Sequence, residues 1–106
     1  MKIITICGSV RFKDEMLKIR DSLMPDTWVM LPENMEVDIQ KIDMGVKSKM
    51  DDLHFKKIEL ADEVIIVNIG GYIGQSTALE MHYAKSLGKP MKFLQGLPEN
   101  MKVSGE

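Results

Sequence analysis

Four β-branched residues in succession, Val64, Ile65, Ile66 and Val67, are followed by Gly70, Gly71 and Gly74, then by Ser76, Thr77 and Glu80. An uninterrupted run of this kind reads as a strand buried on both faces, the pattern of a parallel sheet. The glycines allow a sharp turn and a close approach of backbone to a ligand. Ser76 and Thr77 supply N-cap chemistry for a helix reaching about Leu87. Beyond the strand, the unpaired N–H groups and positive dipole end of that helix converge on one spot that suits an anion. Glu80 faces the same spot, and the functional reading turns on this pairing of a carboxylate with an anion site.

The rest of the chain repeats the alternation. Residues 2–7 are rich in isoleucine and end at Gly8-Ser9, a buried first strand. Phe12, Met16, Ile19 and Leu23 recur at helical spacing, with Lys13, Asp14, Lys18 and Asp21 elsewhere on the wheel; Met24-Pro25 closes that helix. Thr27 to Leu31 is a second strand stopped by Pro32. No period holds from Glu33 to about Met44, which reads as a loop. Val46 to Ala61 is helical, with Met50, Leu53, Lys57 and Ala61 in one band and His54 and Ile58 beside it. Gly88 is a C-cap, and Met91 to Leu94 is a short last strand.

The order βαβαβαβ implies an α/β fold: a three-layer, flavodoxin-like (Rossmann-like) parallel sheet of about four strands with helices on both faces. Strand order 2-1-3-4 sets the two strands that end in glycine side by side, and ligands in such sheets bind beyond the carboxyl ends where the order reverses. The crevice expected there is lined by Gly8, Ser9, Val10, Arg11 and Phe12 on one side and by Asn68 to Thr77 on the other. Residues 1–94 form the single domain and 95–106 a loose tail.

The chain has 106 residues, enough for one core, and its net charge of −2 argues against binding to a nucleic-acid polymer. Lys2 to Cys7 is too short for a secretory h-region, and no membrane segment is expected. A single cysteine excludes an internal disulfide, so a cytoplasmic setting is expected. Ten methionines read as adaptable core filler or, more weakly, as a flexible ligand surface. A four-stranded sheet leaves apolar surface near Trp28 and Met30, so a homodimer or higher homo-oligomer is expected.

Several chemistries are excluded by pattern. Gly70-Gly71-Tyr72-Ile73-Gly74 lacks the Gly-Lys-Ser/Thr ending of a P-loop, and Cys7-Gly8-Ser9-Val10-Arg11 is not a dinucleotide fingerprint. A cysteine phosphatase needs a longer loop between its cysteine and its arginine. Cys7 then reads as a small buried residue at a strand end, and His54 and His82 show no metal-ligand spacing; neither metal nor cofactor is expected. Arg11 offers a bidentate donor fork suited to phosphate, against the alternative of a solvated arginine in a plain turn. With Thr77 as N-cap, Glu80 falls at the fourth position of a Thr-x-x-Glu capping box, which competes with a catalytic role. Asp62 follows a helix C-terminus, where it either serves chemistry or satisfies a turn. His54 is a structural histidine by default, and Tyr72 packs as a lid or contacts a base or sugar.

Cys7-Gly8-Ser9-Val10-Arg11, the junction Ala61-Asp62-Glu63-Val64 and the stretch Gly74…Glu80-Met81…Ala84 resemble the nucleoside 2-deoxyribosyltransferase family. The Gly-Ser-x-Arg stretch is most similar to its 2-deoxynucleoside 5′-monophosphate N-hydrolases. Gly70-Gly71-Tyr72-Ile73-Gly74-x-Ser76-Thr77-x-x-Glu80 also resembles small bacterial and phage proteins of this fold and, loosely, the glycine loop of lysine-decarboxylase-like nucleotide hydrolases. The resemblance spans about residues 2–94 and rests on short motifs.

It implies cleavage or transfer of the N-glycosidic bond of a nucleoside or nucleoside 5′-monophosphate by retaining double displacement. Glu80 matches the nucleophile. Gly8, Ser9, Val10 and Arg11, with Gly71, Tyr72, Gly74, Ser76 and Thr77, match positions that hold the substrate and its phosphate. The family takes the proton for the departing base from an aspartate on the helix before the central strand. Here the matching position holds His54, and Asp51 or Asp52 substitutes only with a different helix register. Asp62 completes the candidate catalytic set. The alternative is a nucleotide-binding or sensor module of the same fold with no turnover.

Overall fold

The structure, a computed structural model, describes residues 1–32 and 43–95. The loop expected after Glu33 and the tail expected after residue 94 therefore lie almost entirely outside the described residues. Four parallel strands, β1 (Lys2–Gly8), β2 (Thr27–Met30), β3 (Glu63–Val67) and β4 (Met91–Phe93), form one sheet in the order β2-β1-β3-β4. Three helices cross between them: α1 (Lys13–Leu23), α2 (Met44–Leu60) and α3 (Gln75–Ser86). The chain thus has the flavodoxin-like α/β fold, and among the described residues no helix is long and apolar enough to cross a membrane.

Alternation along the strands divides the core between two faces. Cys7, Val64 and Ile66 pack with Ile58 of α2 and with Met81 and Ala84 of α3. Ile6 and Val67 point the other way, onto Met16 of α1. Both faces of β1 and β3 are covered, which is why their sequences are nearly continuous in apolar residues. Gly8 is required by that packing. A Cβ there would stand 3.1 Å from Val67 Cβ and 3.2 Å from Val67 O, on the strand directly alongside.

Helix α2 is fixed along its length. The Asp43 side chain caps it by accepting from the Val46 N–H at 2.8 Å. Lys57 Nζ donates to Leu31 O at 2.8 Å, and Thr5 Oγ1 donates to Lys57 O at 2.7 Å, tying the helix to β1 and the end of β2. At its C-terminus Lys89 Nζ donates to Glu59 O and Ala61 O, satisfying carbonyls that the helix leaves open. The buried band runs through His54, Ile58 and Ala61, whereas Leu53, expected in that band, is more than half exposed. The helix is rotated by about one position from the sequence expectation, and this turns His54 inward.

The start of α3 also differs from expectation. Its N-cap is Gly74, in extended geometry and without a side-chain cap, so the helix begins two to three residues before the expected Ser76 or Thr77 cap. Thr77 lies in the first turn and is buried, and Glu80 lies in the second. No Thr-x-x-Glu capping box forms.

Candidate functional site

Two loops at the carboxyl end of the sheet are shaped by local chemistry. After β1, Ser9 caps a single 3-10 turn, Val10–Phe12, its hydroxyl accepting from the Arg11 N–H at 3.3 Å. After β3, Gly70 and Gly71 adopt φ of 66° and 81°, which favour glycine, and the Gly71 N–H returns to Asn68 O at 2.8 Å. Asn68 is fully buried, and its Oδ1 accepts from the Gln95 N–H at 3.0 Å, anchoring the turn to the segment after β4.

Between these loops and α2 lies a cleft of about 300 Å³. Its walls bring together Gly8, Ser9 and Val10 from the first loop, and Tyr72, Gly74, Ser76, Thr77 and Glu80 from the second loop and α3. The uncapped N-terminus of α3 opens here, so its first backbone N–H groups are donors for an anion. The third wall is α2, through Lys47, Met50, Asp51 and His54, residues at helical spacing on one face. Lys47 Nζ and Asp51 Oδ2 are paired at 3.2 Å.

Lys47 and Met50 are the part of the site that sequence reasoning missed, and Asp51 was named there only as a substitute for His54. The available signal was their spacing to His54, which places a cation, a carboxylate and a histidine on successive turns of one face. Asp51 reaches the cleft together with His54, one turn before it on the same face of α2.

Beneath the cleft floor, Cys7 from β1, His54 from α2 and Glu80 from α3 converge. Cys7 Sγ is 3.3 Å from His54 Nε2, and the same nitrogen is 3.6 Å from Glu80 Oε1. The His54 side chain is 3 % exposed and that of Glu80 14 %, so the carboxylate is the more accessible of the two. No protein-family model matches the chain, and no curated protein matches it.

Three expected site residues are placed elsewhere. Arg11 does not line the cleft; its guanidinium lies over the Tyr72 ring at 3.8 Å, and Phe12 meets that ring edge-on, with centroids 6.0 Å apart. An aromatic face competes with phosphate for this cation. Gly71 is exposed and serves the turn, not the cleft wall. Asp62 sits at the amino end of β3, at the opposite edge of the sheet. There its Oδ2 accepts from the Ile3 N–H at 2.8 Å while its own N–H donates to Ile3 O at 2.8 Å, closing the start of the β1–β3 pairing. The structure thus places Asp62 in the strand pairing, away from the cleft that holds Glu80 and His54.

Proposed function

We propose that the protein cleaves or transfers the N-glycosidic bond of a nucleoside or nucleoside 5′-monophosphate, with Glu80 as nucleophile. The observation that carries this is a lightly exposed carboxylate in the second turn of a helix whose uncapped N-terminus opens into the same cleft. With no capping box, Glu80 is not accounted for by helix termination. The α3 N–H groups, Ser9, Ser76 and Lys47 suit a 5′-phosphate or the 5′ end of the sugar. Glu80 then attacks the anomeric carbon, the base leaves with a proton, and water or an acceptor nucleoside opens the glycosyl-enzyme.

Asp51, which opens to the cleft, is the group on α2 assigned to pass that proton on, taking it from solvent once phosphate draws Lys47 away and giving it to the departing base. His54, buried against Cys7 and Glu80, orients the nucleophile. This departs from the expectation that His54 itself meets the leaving base. The burial of His54 also supports the second reading, a nucleotide-binding module without turnover.

Incubation with a panel of nucleosides and 5′-monophosphates, followed by chromatography for free base, tests the assignment. Base release lost in Glu80→Gln supports the enzyme. Thermal shifts without base release in the wild type support the binding module. No cofactor is invoked. The setting assigned is the cytoplasm, and the assembly a homodimer. Two exposed apolar regions suit its face: the one around Trp28, and the stripe Val46, Leu53 and Leu60, one residue every second turn of α2.

A further inference from the structure

We infer that Cys7, His54 and Glu80 form a site for a borderline divalent transition ion such as Zn²⁺, its fourth coordination position facing the cleft. The donors come from three separate elements, β1, α2 and α3, and one atom of each lies within 4.8 Å of the other two. Zinc binds sulfur at about 2.3 Å and nitrogen or oxygen at about 2.0–2.2 Å, so tetrahedral ligands stand roughly 3.3–3.6 Å apart. The Sγ–Nε2 and Nε2–Oε1 separations, 3.3 Å and 3.6 Å, already have that spacing. The third separation, from Sγ to the carboxylate, is within 4.8 Å, and Glu80 is the most exposed of the three side chains.

Charge favours occupancy. Cys7 is fully buried among Ile58, Val64, Ile66, Met81 and Ala84, surroundings in which a lone anion is costly. A dication with one thiolate, one carboxylate and a neutral imidazole is a neutral unit. On binding, the thiol gives its proton to solvent and its sulfur forms the bond to the metal; nothing is oxidised or reduced. One nitrogen faced by both a thiol and a carboxylate is a geometry that a cation serves better than a single shared proton. Sulfur, nitrogen and oxygen donors together select zinc-like ions over magnesium or calcium.

Three protein ligands with one open position match a metal centre that still admits a small molecule. Metal occupancy also ties up Glu80, so Zn²⁺ switches off base release. That consequence alone rests on the function proposed above; the site itself does not.

The test is titration of metal-free protein with Co²⁺, read as thiolate-to-cobalt charge-transfer absorption. The chain has a single cysteine, so such a band can arise only at Cys7. The expected result is a band saturating at one ion per chain, abolished by equimolar Zn²⁺ and absent in Cys7→Ala. Glu80→Gln should weaken Co²⁺ binding by more than about tenfold, because loss of even an outer partner of a metal ligand costs 10–100-fold. No thiolate band in the wild type overturns the site, as does a band undiminished in Glu80→Gln. The wild-type spectrum decides even if Cys7→Ala fails to fold. Base release measured in the same samples is a separate readout: its absence sinks the glycosidic reading and leaves the cobalt spectrum to judge the metal.

Discussion

At the amino ends of the strands, Glu63 is buried between Lys2 at 2.7 Å and Lys92 at 3.2 Å, and Asp62 holds the backbone of Ile3. At the carboxyl ends, Glu80 lies against His54 and near Cys7, on the wall of a cleft. Both ends therefore carry a largely buried glutamate. One is neutralised by lysines from the two neighbouring strands and locks their pairing. The other lies against the His54 imidazole, near the Cys7 thiol, on the wall of the cleft. The difference separates acids that hold the sheet together from an acid set beside an open cleft, and each end makes predictions that the other does not.

The largest expected effect follows from that division. Glu80→Gln should lower base release by on the order of 10⁴-fold or more, the scale seen when a nucleophile is removed, while leaving the thermal shift with monophosphate in place. Glu63→Gln should leave turnover intact in whatever fraction stays folded. Comparable activity losses in the two variants would erase the distinction between the ends.

Gly8→Ala tests the border between the two regions. Its Cβ would press on Val67 Cβ and Val67 O, and neither strand can retreat without breaking the central pairing. Overpacking of this kind costs about 1–3 kcal/mol, at roughly 4–8 °C in Tm for each kcal/mol in a domain of this size. An unchanged melting temperature would mean that β1 and β3 pack less closely than described.

Acid should weaken the amino end as Glu63 takes up a proton. Burial pushes the Glu63 carboxyl up, but hydrogen bonds from Lys2 and Lys92 outweigh it and hold the group below its ordinary value. A lowered folded-state value stabilises the fold above the unfolded value, near pH 4.3 for a glutamate, and that stabilisation is lost as pH falls through the folded value. Thermal melts in acid should therefore converge for wild type and Glu63→Gln, and at neutral pH should differ by about 1–2 kcal/mol. A gap that persists undiminished through the acid limb would place the stabilisation outside the charge of Glu63.

The strand order and the pairing of the two glycine-ended loops were legible in the sequence because both rest on local signals. Buried β-branched runs mark the strands, and glycines mark the positions where close approach or positive φ demands them. The start of α3 was misjudged because Ser76 and Thr77 are better caps by side chain than Gly74, yet the extended backbone at Gly74 begins the helix. His54 and Glu80 were linked in the sequence only through the family resemblance, and nothing there joined Cys7 to them. The crossing of β1, α2 and α3 brings the three together. Arg11 misled for the same reason, since its aromatic partner lies on a distant loop.

The smallest expected effect is also the one that sharpens the picture of the cleft rim. With its guanidinium over Tyr72, Arg11 contributes an exposed cation–π contact worth about 0.5–1 kcal/mol. If Arg11 acts only by steadying that ring, Arg11→Ala should weaken nucleosides and monophosphates alike, by roughly two- to fivefold for that energy. If instead it leaves Tyr72 to grip the 5′-phosphate, the loss should exceed about tenfold for monophosphates, as for a charge-assisted hydrogen bond, and be negligible for nucleosides. Lys47→Ala is the matched control, because Lys47 lines the cleft and should show the phosphate-selective pattern. Calorimetric titration of a nucleoside and its 5′-monophosphate against both variants decides between them. Equal weakening of both ligands by Arg11→Ala, with selective loss in Lys47→Ala, would assign phosphate recognition to the α2 wall and leave Arg11 as the brace of Tyr72.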